Sequence, residues 1–353
     1  MSFPLRRRAF LLATLCLPVL ASAAEPAWLG EANCRIARMM APSVTQVRWS
    51  GACVEGYASG KGVLAWRDIP GDVSVEATLV RGEVSGDVVK KWAGSTYKGP
   101  LKAGIMQGQG YLEFPPPMGE YQGEFVNGRQ HGKGEKLDTN RSYYVGEWAN
   151  GKRNGYGEAS FTTGGSYKGQ WKDNKFHGQG AIVYAGSGRT YEGLFEDGRV
   201  AGLPAPEIAT GRYAIKKSTL ASNIATARVT STLPLDAGWD ALTPAQKNAM
   251  RIHYPALEDG DDPPFPAKGE RGILDAVRRI NENLGLTSGY LGAQVLMGKD
   301  GKPLSVTTYG APEPQLVRAV STLLMLQQYK PAQCQGEPCE MVYPLNFNFS
   351  VTN

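Results

Sequence analysis

Tyr144-Val145-Gly146-Glu147-Trp148-Ala149-Asn150-Gly151, running on to Gly155-Tyr156-Gly157, decides the fold. The wording recurs on both sides. Tyr121-Gln122-Gly123-Glu124-Phe125-Val126-Asn127-Gly128 leads to Gly132-Lys133-Gly134, and Tyr167-Lys168-Gly169-Gln170-Trp171-Lys172-Asp173-Asn174 leads to Gly178-Gln179-Gly180. Tyr191-Glu192-Gly193-Leu194-Phe195-Glu196-Asp197-Gly198 opens a further unit that keeps Gly202, and Tyr97-Lys98-Gly99 leads to Gly104, Gly108 and Gly110. The openers at 97, 121, 144, 167 and 191 are 24, 23, 23 and 24 residues apart, a period that marks a stacked array. On an extended strand, Tyr, Gly and Trp/Phe at i, i+2 and i+4 share one face. Asn-Gly or Asp-Gly then calls for a tight hairpin turn with two positive φ angles. Each unit is therefore a β-hairpin whose return strand carries Gly-x-Gly. The glycines leave room for neighbouring rings to lie across the backbone. A lone hairpin is marginal in water, so the units pair into one long antiparallel sheet.

The pattern resembles the MORN family (membrane occupation and recognition nexus), whose motif is close to Tyr-x-Gly-x-Trp/Phe-x-Asn-Gly-x-x-x-Gly-x-Gly. The resemblance extends upstream: Trp49-Ser50-Gly51-Ala52-Cys53-Val54-Glu55-Gly56 continues to Gly60 and Gly62 with the same glycine spacing. A degenerate copy lies between, with Val75, Gly82 and Gly86 in register and Ala77 and Val88 at glycine positions. That makes six clear units and one degenerate one over 49–202.

Residues 1–24 read as an export signal. Arg6-Arg7-Arg8 precedes a short apolar core from Ala9 to Val19, and Ala21-Ser22-Ala23 offers small-residue cleavage. The alternative is an uncleaved inner-membrane anchor, but the run is shorter than the roughly 20 residues a span needs and Pro18 interrupts it. Export also fits a twin-arginine reading of Arg7-Arg8. Removing the three arginines takes the 38 basic residues to 35 against 33 acidic ones, a net charge of +2, so no nucleic-acid partner is expected. Four cysteines remain, Cys34, Cys53, Cys334 and Cys339, an even number that suits disulfides in an oxidising compartment. Three pairings are open; Cys34–Cys53 with Cys334–Cys339 keeps each bridge within one unit. Residues 25–48 are expected to cap the first sheet edge, with a short helix over Ala32–Met40.

After Leu203-Pro204-Ala205-Pro206 the composition shifts, and 203–265 reads as a linker with partial structure. It includes a strand over Val229–Leu235 and a helix capped by Thr243-Pro244. Residues 266–353 read as a small α+β domain. Ile273, Val277, Ile280 and Leu284 share a helical face, and a strand from Leu291 turns at Asp300-Gly301 and returns over Leu304–Tyr309. A helix over Pro314–Gln328 turns Leu316, Val320, Leu323 and Leu324 inward, and a final strand spans Met341–Val351. This order, with Tyr329-Lys330-Pro331-Ala332 closing the helix and the Phe347/Phe349 run closing the sheet, resembles the C-terminal domain of TonB-family energy transducers. In this chain a MORN-like array stands where that family carries a Pro-rich spacer. The fold class is thus mainly β with a small α+β domain.

No catalytic constellation is present in the sequence. His131 and His177 precede glycines of their repeats and His253 stands alone; no Gly-x-Ser-x-Gly, His-Glu-x-x-His or P-loop occurs. No enzyme activity, cofactor or metal is expected, an enzyme with an unrecognised site being the last alternative. The ring stripe Tyr121, Phe125, Tyr144, Trp148, Tyr167, Trp171, Tyr191 and Phe195 is a packing face or a groove for an extended peptide or membrane lipid. The opposite face, with Lys98, Gln122, Glu124, Glu147, Lys168 and Glu192, mixes charges and argues against an anionic-lipid surface. Leu345, Phe347 and Phe349 mark a candidate edge for strand addition by a partner. The expected role is a periplasmic scaffold that binds a protein or peptide of the cell envelope. The TonB resemblance implies as an alternative a transducer for outer-membrane transport, if residues 1–24 are retained.

Overall fold

The computed structural model describes residues 28–37, 47–67, 71–215, 230–285, 288–310 and 313–349. The export signal therefore lies outside the described residues. Between Arg48 and Val200 the described chain forms one antiparallel sheet of sixteen strands whose order follows the sequence. Each Tyr-opened strand pairs with its own return strand and with the return strand before it. Tyr143–Ala149, for example, lies between Arg129–Leu137 and Lys152–Ser160. The turns have the expected chemistry: φ is +50° and +77° at Asn127-Gly128, +52° and +81° at Asn150-Gly151, and +51° and +71° at Asp173-Asn174. A further bond stitches each turn to its predecessor, since the Gly151 amide donates to the Gln130 carbonyl at 2.9 Å and the Asn174 amide to the Arg153 carbonyl at 3.0 Å.

Residues 28–37 do not form the expected helix. Trp28–Leu29 and Ile36–Ala37 pair as short strands, and residues 38–40 fall outside the described residues. The amides here bond to the first hairpins rather than to their own helix: Arg35 N to Gly56 O at 3.0 Å and Ala37 N to Gly82 O at 2.8 Å. Ile36 joins the array's core, Arg35 lies 4.4 Å over the Tyr57 ring, and a disulfide joins Cys34 to Cys53.

The C-terminal region has a second core. A three-stranded sheet places Gly289–Met297 between Pro303–Tyr309 and Met341–Phe349. Helices α1 (Pro244–Arg251), α2 (Arg271–Asn283) and α3 (Pro314–Met325) accompany it. Ile273 and Val277 of α2 and Leu316, Val320 and Leu324 of α3 are buried in the core with Leu291, Val295 and Tyr343 of the sheet. Thr243 closes a reciprocal cap on α1 with Gln246. Most of the structured part of 203–265 joins this core, where Leu233, Trp239, Leu242, Met250, Tyr254 and Phe265 are buried, while Ala256 is buried in the array's core. Of the strand expected over Val229–Leu235, Val229 lies outside the described residues and Thr230–Ser231 is the part that forms among the others; Cys334 is bonded to Cys339.

Candidate functional site

The ring stripe is core. Tyr121, Phe125, Tyr144, Trp148, Tyr167, Trp171 and Phe195 are buried, and Tyr191 is half-buried at the last unit. The rings form an edge-to-face ladder: Tyr121–Trp148, Trp148–Tyr144, Tyr144–Trp171 and Trp171–Tyr167 each lie 5.2 Å apart, and Tyr167–Phe195 lies at 5.1 Å. Such pairs each add about 0.5–1.5 kcal/mol beyond burial. The polar tips of the buried Tyr and Trp rings are satisfied within the sheet. Tyr144 Oη donates to the Glu147 carbonyl at 2.8 Å, Tyr167 Oη to that of Gln170 at 2.9 Å, and Trp171 Nε1 to that of Gly157 at 3.1 Å. A stripe with its polar tips bonded inward and its faces covered offers a ligand little.

The two glycines of Gly-x-Gly do different work. The second is the bed of the ring: a Cβ on Gly157 would stand 2.4 Å from Tyr144 Oη, and one on Gly180 2.3 Å from Tyr167 Oη. The first sits in an irregularity of pairing, where Gly123 faces Gly134 but Glu124 faces His131. Gly155, at the same position, has φ of +87°, a region other residues enter at a cost. The degenerate unit separates the roles. Val75 replaces the opening ring, and Ala77 and Val88 replace the two bed glycines, while the bulge glycine Gly86 remains at φ +78°. At the other end of the series, Trp49 restores a ring, and Gly51 and Gly62 restore its bed, where an added Cβ would stand 2.5 and 2.6 Å from the ring.

The residue after the first turn-following position varies. Arg153 lies 4.3 Å over Trp171 and 5.6 Å from Tyr144, and burial pulls its pKa below the ordinary guanidinium value. Phe176, its counterpart one unit on, stacks on Tyr167 at 4.0 Å. Burial also pushes the Tyr97, Tyr144 and Tyr167 phenols up to about 12. In an unfolded chain they ionise near 10, so this contribution to stability is complete below about pH 10 and is lost as pH rises towards 12. Alkaline titration is expected to show the buried tyrosinates appearing together with loss of the sheet's circular dichroism. Ionisation that precedes unfolding would contradict this.

Met341–Phe349 is an edge strand among the described residues, bonded on one side to Gly289–Met297. Leu345 and Phe347 are buried and Phe349 is half-buried, so the three marked residues serve the core rather than the edge. Pro344 faces Gln294 and has no N–H, a residue tolerated where its nitrogen points off the ladder. The Gly298 amide donates to Lys302 at 2.9 Å, which gives the central strand the same parity: even residues face Pro303–Tyr309 and odd ones the final strand. The outward amides are therefore those of Val342, Asn346 and Asn348, with a gap at Pro344. The sequence signal for this was Pro344 itself, whose missing donor fixes the parity.

Among the described residues no group of three or more His, Cys, Asp or Glu could hold a metal. The His131 backbone carbonyl accepts from Tyr121 Oη at 3.5 Å and that of His177 from Tyr167 Oη at 3.4 Å. Burial lowers the His253 pKa, with Glu270 opposing.

Residues 121–143, 144–166 and 167–189 each match the family model of the MORN repeat. The MORN repeat is a non-catalytic module whose general role is scaffolding and protein binding. No curated protein matches the chain. The two disulfides point to an oxidising, extracytoplasmic environment, and no helix among the described residues is long and apolar enough to cross a membrane.

Proposed function

We propose that the protein is an exported, periplasmic scaffold. The array is its rigid platform, and the TonB-like C-terminal region is the module that takes a protein partner by strand addition. The observation that carries this reading is that one side of Met341–Phe349 is unpaired among the described residues. An incoming strand finds the Asn346 and Asn348 donors in succession, while Pro344 ends the pairing there. The ring stripe is buried, which favours the edge over the rings as the recognition element.

A photo-crosslinker at Asn348 in intact bacteria should give one discrete protein adduct. Asn346→Pro, which removes a second outward N–H, should abolish it while leaving the melting temperature within a few degrees. An adduct that survives Asn346→Pro, or one that forms equally from Val145 on the array, would reject the edge as the site. The intact mass of the same sample decides between a cleaved scaffold and the transducer role, which requires residues 1–24.

A further inference from the structure

The C-terminal core docks on the array between the Tyr167 and Tyr191 units. The Ala185 amide donates to the Ala256 carbonyl at 2.7 Å, and Ala256 is wholly buried in the array's core. A Cβ on Gly165 would stand 2.6 Å from that of Ala256, so the glycine is the notch that receives it. Arg189 reaches Glu258 at 3.4 Å and Arg199 reaches Asp259 at 3.6 Å. Beside this segment lies the disulfide hairpin, Ala332–Cys334 paired with Glu337–Cys339. A Cβ on Gly186 would stand 2.5 Å from Cys334 Sγ and 3.1 Å from Cys339 Sγ, so both sulfurs rest against the array's loop. Asp261, wholly buried, ties the two pieces together: its Oδ1 accepts from the Gln335 backbone amide at 2.9 Å and side-chain amide at 3.0 Å. Asp262 and Gln333 exchange backbone bonds at 2.8 and 2.9 Å.

We propose that the Cys334–Cys339 disulfide is a redox latch that holds the C-terminal core on the array and is itself shielded by the docking. The hairpin has three paired residues on each side, too few to persist without a staple. Its closed form presents the Gln335 donors to Asp261 and the sulfurs to Gly186. Reduction needs a dithiol. One thiolate attacks one Sγ and the S–S bond breaks. The second thiol then resolves the mixed disulfide, so two electrons and two protons pass to the protein and leave two Cys thiols and an oxidised dithiol. With both sulfurs covered, this exchange follows undocking. The closed form also seats both sulfurs against Gly186, a contact the opened pair gives up, so docking opposes reduction at equilibrium and, by linkage, reduction favours the undocked state by the same factor. Cys34–Cys53 serves as the internal control, because Cys53 is exposed.

The oxidised full-length protein is treated with dithiothreitol, quenched by alkylation at intervals and mapped by mass spectrometry. Cys34–Cys53 is expected to open first and Cys334–Cys339 at least about tenfold more slowly. Gly186→Val, which wedges the loop from the sulfurs, is expected to accelerate Cys334–Cys339 several-fold and leave Cys34–Cys53 unchanged. Arg189→Gln, a surface change, is expected to act in the same direction and stands in if the valine variant does not fold. After reduction the radius of gyration measured by small-angle scattering is expected to rise. Equal reduction rates of the two bridges, an unchanged radius of gyration, or a Cys334–Cys339 rate that neither folded variant moves would each overturn the latch.

Discussion

Trp171→Ala is expected to lower the stability of the array by about 3–5 kcal/mol, the range for emptying a large aromatic from a core. The ring sits at the crossing of several contacts. It meets Tyr144 and Tyr167 edge-to-face at 5.2 Å and Phe176 at 5.0 Å. It also carries the Arg153 guanidinium on its face at 4.3 Å. Truncation removes the buried area and leaves the Gly157 carbonyl without its indole donor. It also takes the aromatic partner from a half-buried cation, a loss a cavity alone would not cause. Urea unfolding followed by circular dichroism measures the change. Val145→Ala, on the exposed opposite face, should stay within about 0.5 kcal/mol. The two readings of the stripe diverge here. A groove waiting for a ligand would tolerate the loss of one ring with little change in stability, so a drop below about 1 kcal/mol would return the stripe to the list of binding surfaces.

The parts of this molecule that were legible in the sequence are those where one residue type answers one local requirement. Asn150-Gly151 calls for two positive φ angles and has them. Tyr144 and Trp148 at i and i+4 share a face and are buried on it. What was hidden depends on pairing between distant segments. Residues 32–37 carry a helix-like pattern, but the Arg35 and Ala37 amides are claimed by Gly56 and Gly82, whose carbonyls the sequence cannot place. Leu233, Trp239 and Tyr254 show no period, so their shared core with Val295 and Tyr343 was invisible until the chain was folded. Leu345, Phe347 and Phe349 alternate cleanly, and that alternation marks the core face. The edge is marked instead by the polar residues between them and by Pro344. The docking of Ala256 over Gly165 had no signal beyond an ordinary Gly-Gly loop.

Gly157→Val is expected to cost about 3 kcal/mol or more, from overpacking at the upper end of its usual range. The added Cβ would stand 2.4 Å from Tyr144 Oη and 2.6 Å from two further atoms of the ring, with no flexible neighbour to yield. The ring must leave its bed. It then forfeits the bond to the Glu147 carbonyl and the contacts with Trp148 and Trp171. The chain already contains the compensation. In the degenerate unit Val75 takes the place of Tyr144 and Val88 that of Gly157, and both valines are buried. Tyr144→Val together with Gly157→Val should therefore destabilise less than the two single changes summed, with a coupling of about 1–3 kcal/mol in the stabilising sense. Gly155→Val gives the contrast. Its glycine serves the bulge rather than the ring, the degenerate unit keeps it as Gly86, and the cost should persist whether residue 144 is Tyr or Val. Strict additivity between Tyr144→Val and Gly157→Val would mean that the glycine answers to the backbone alone. Coupling there and additivity at Gly155 would establish that each unit assigns its two glycines to different tasks, one to the fold of the strand and one to the aromatic ring lying across it.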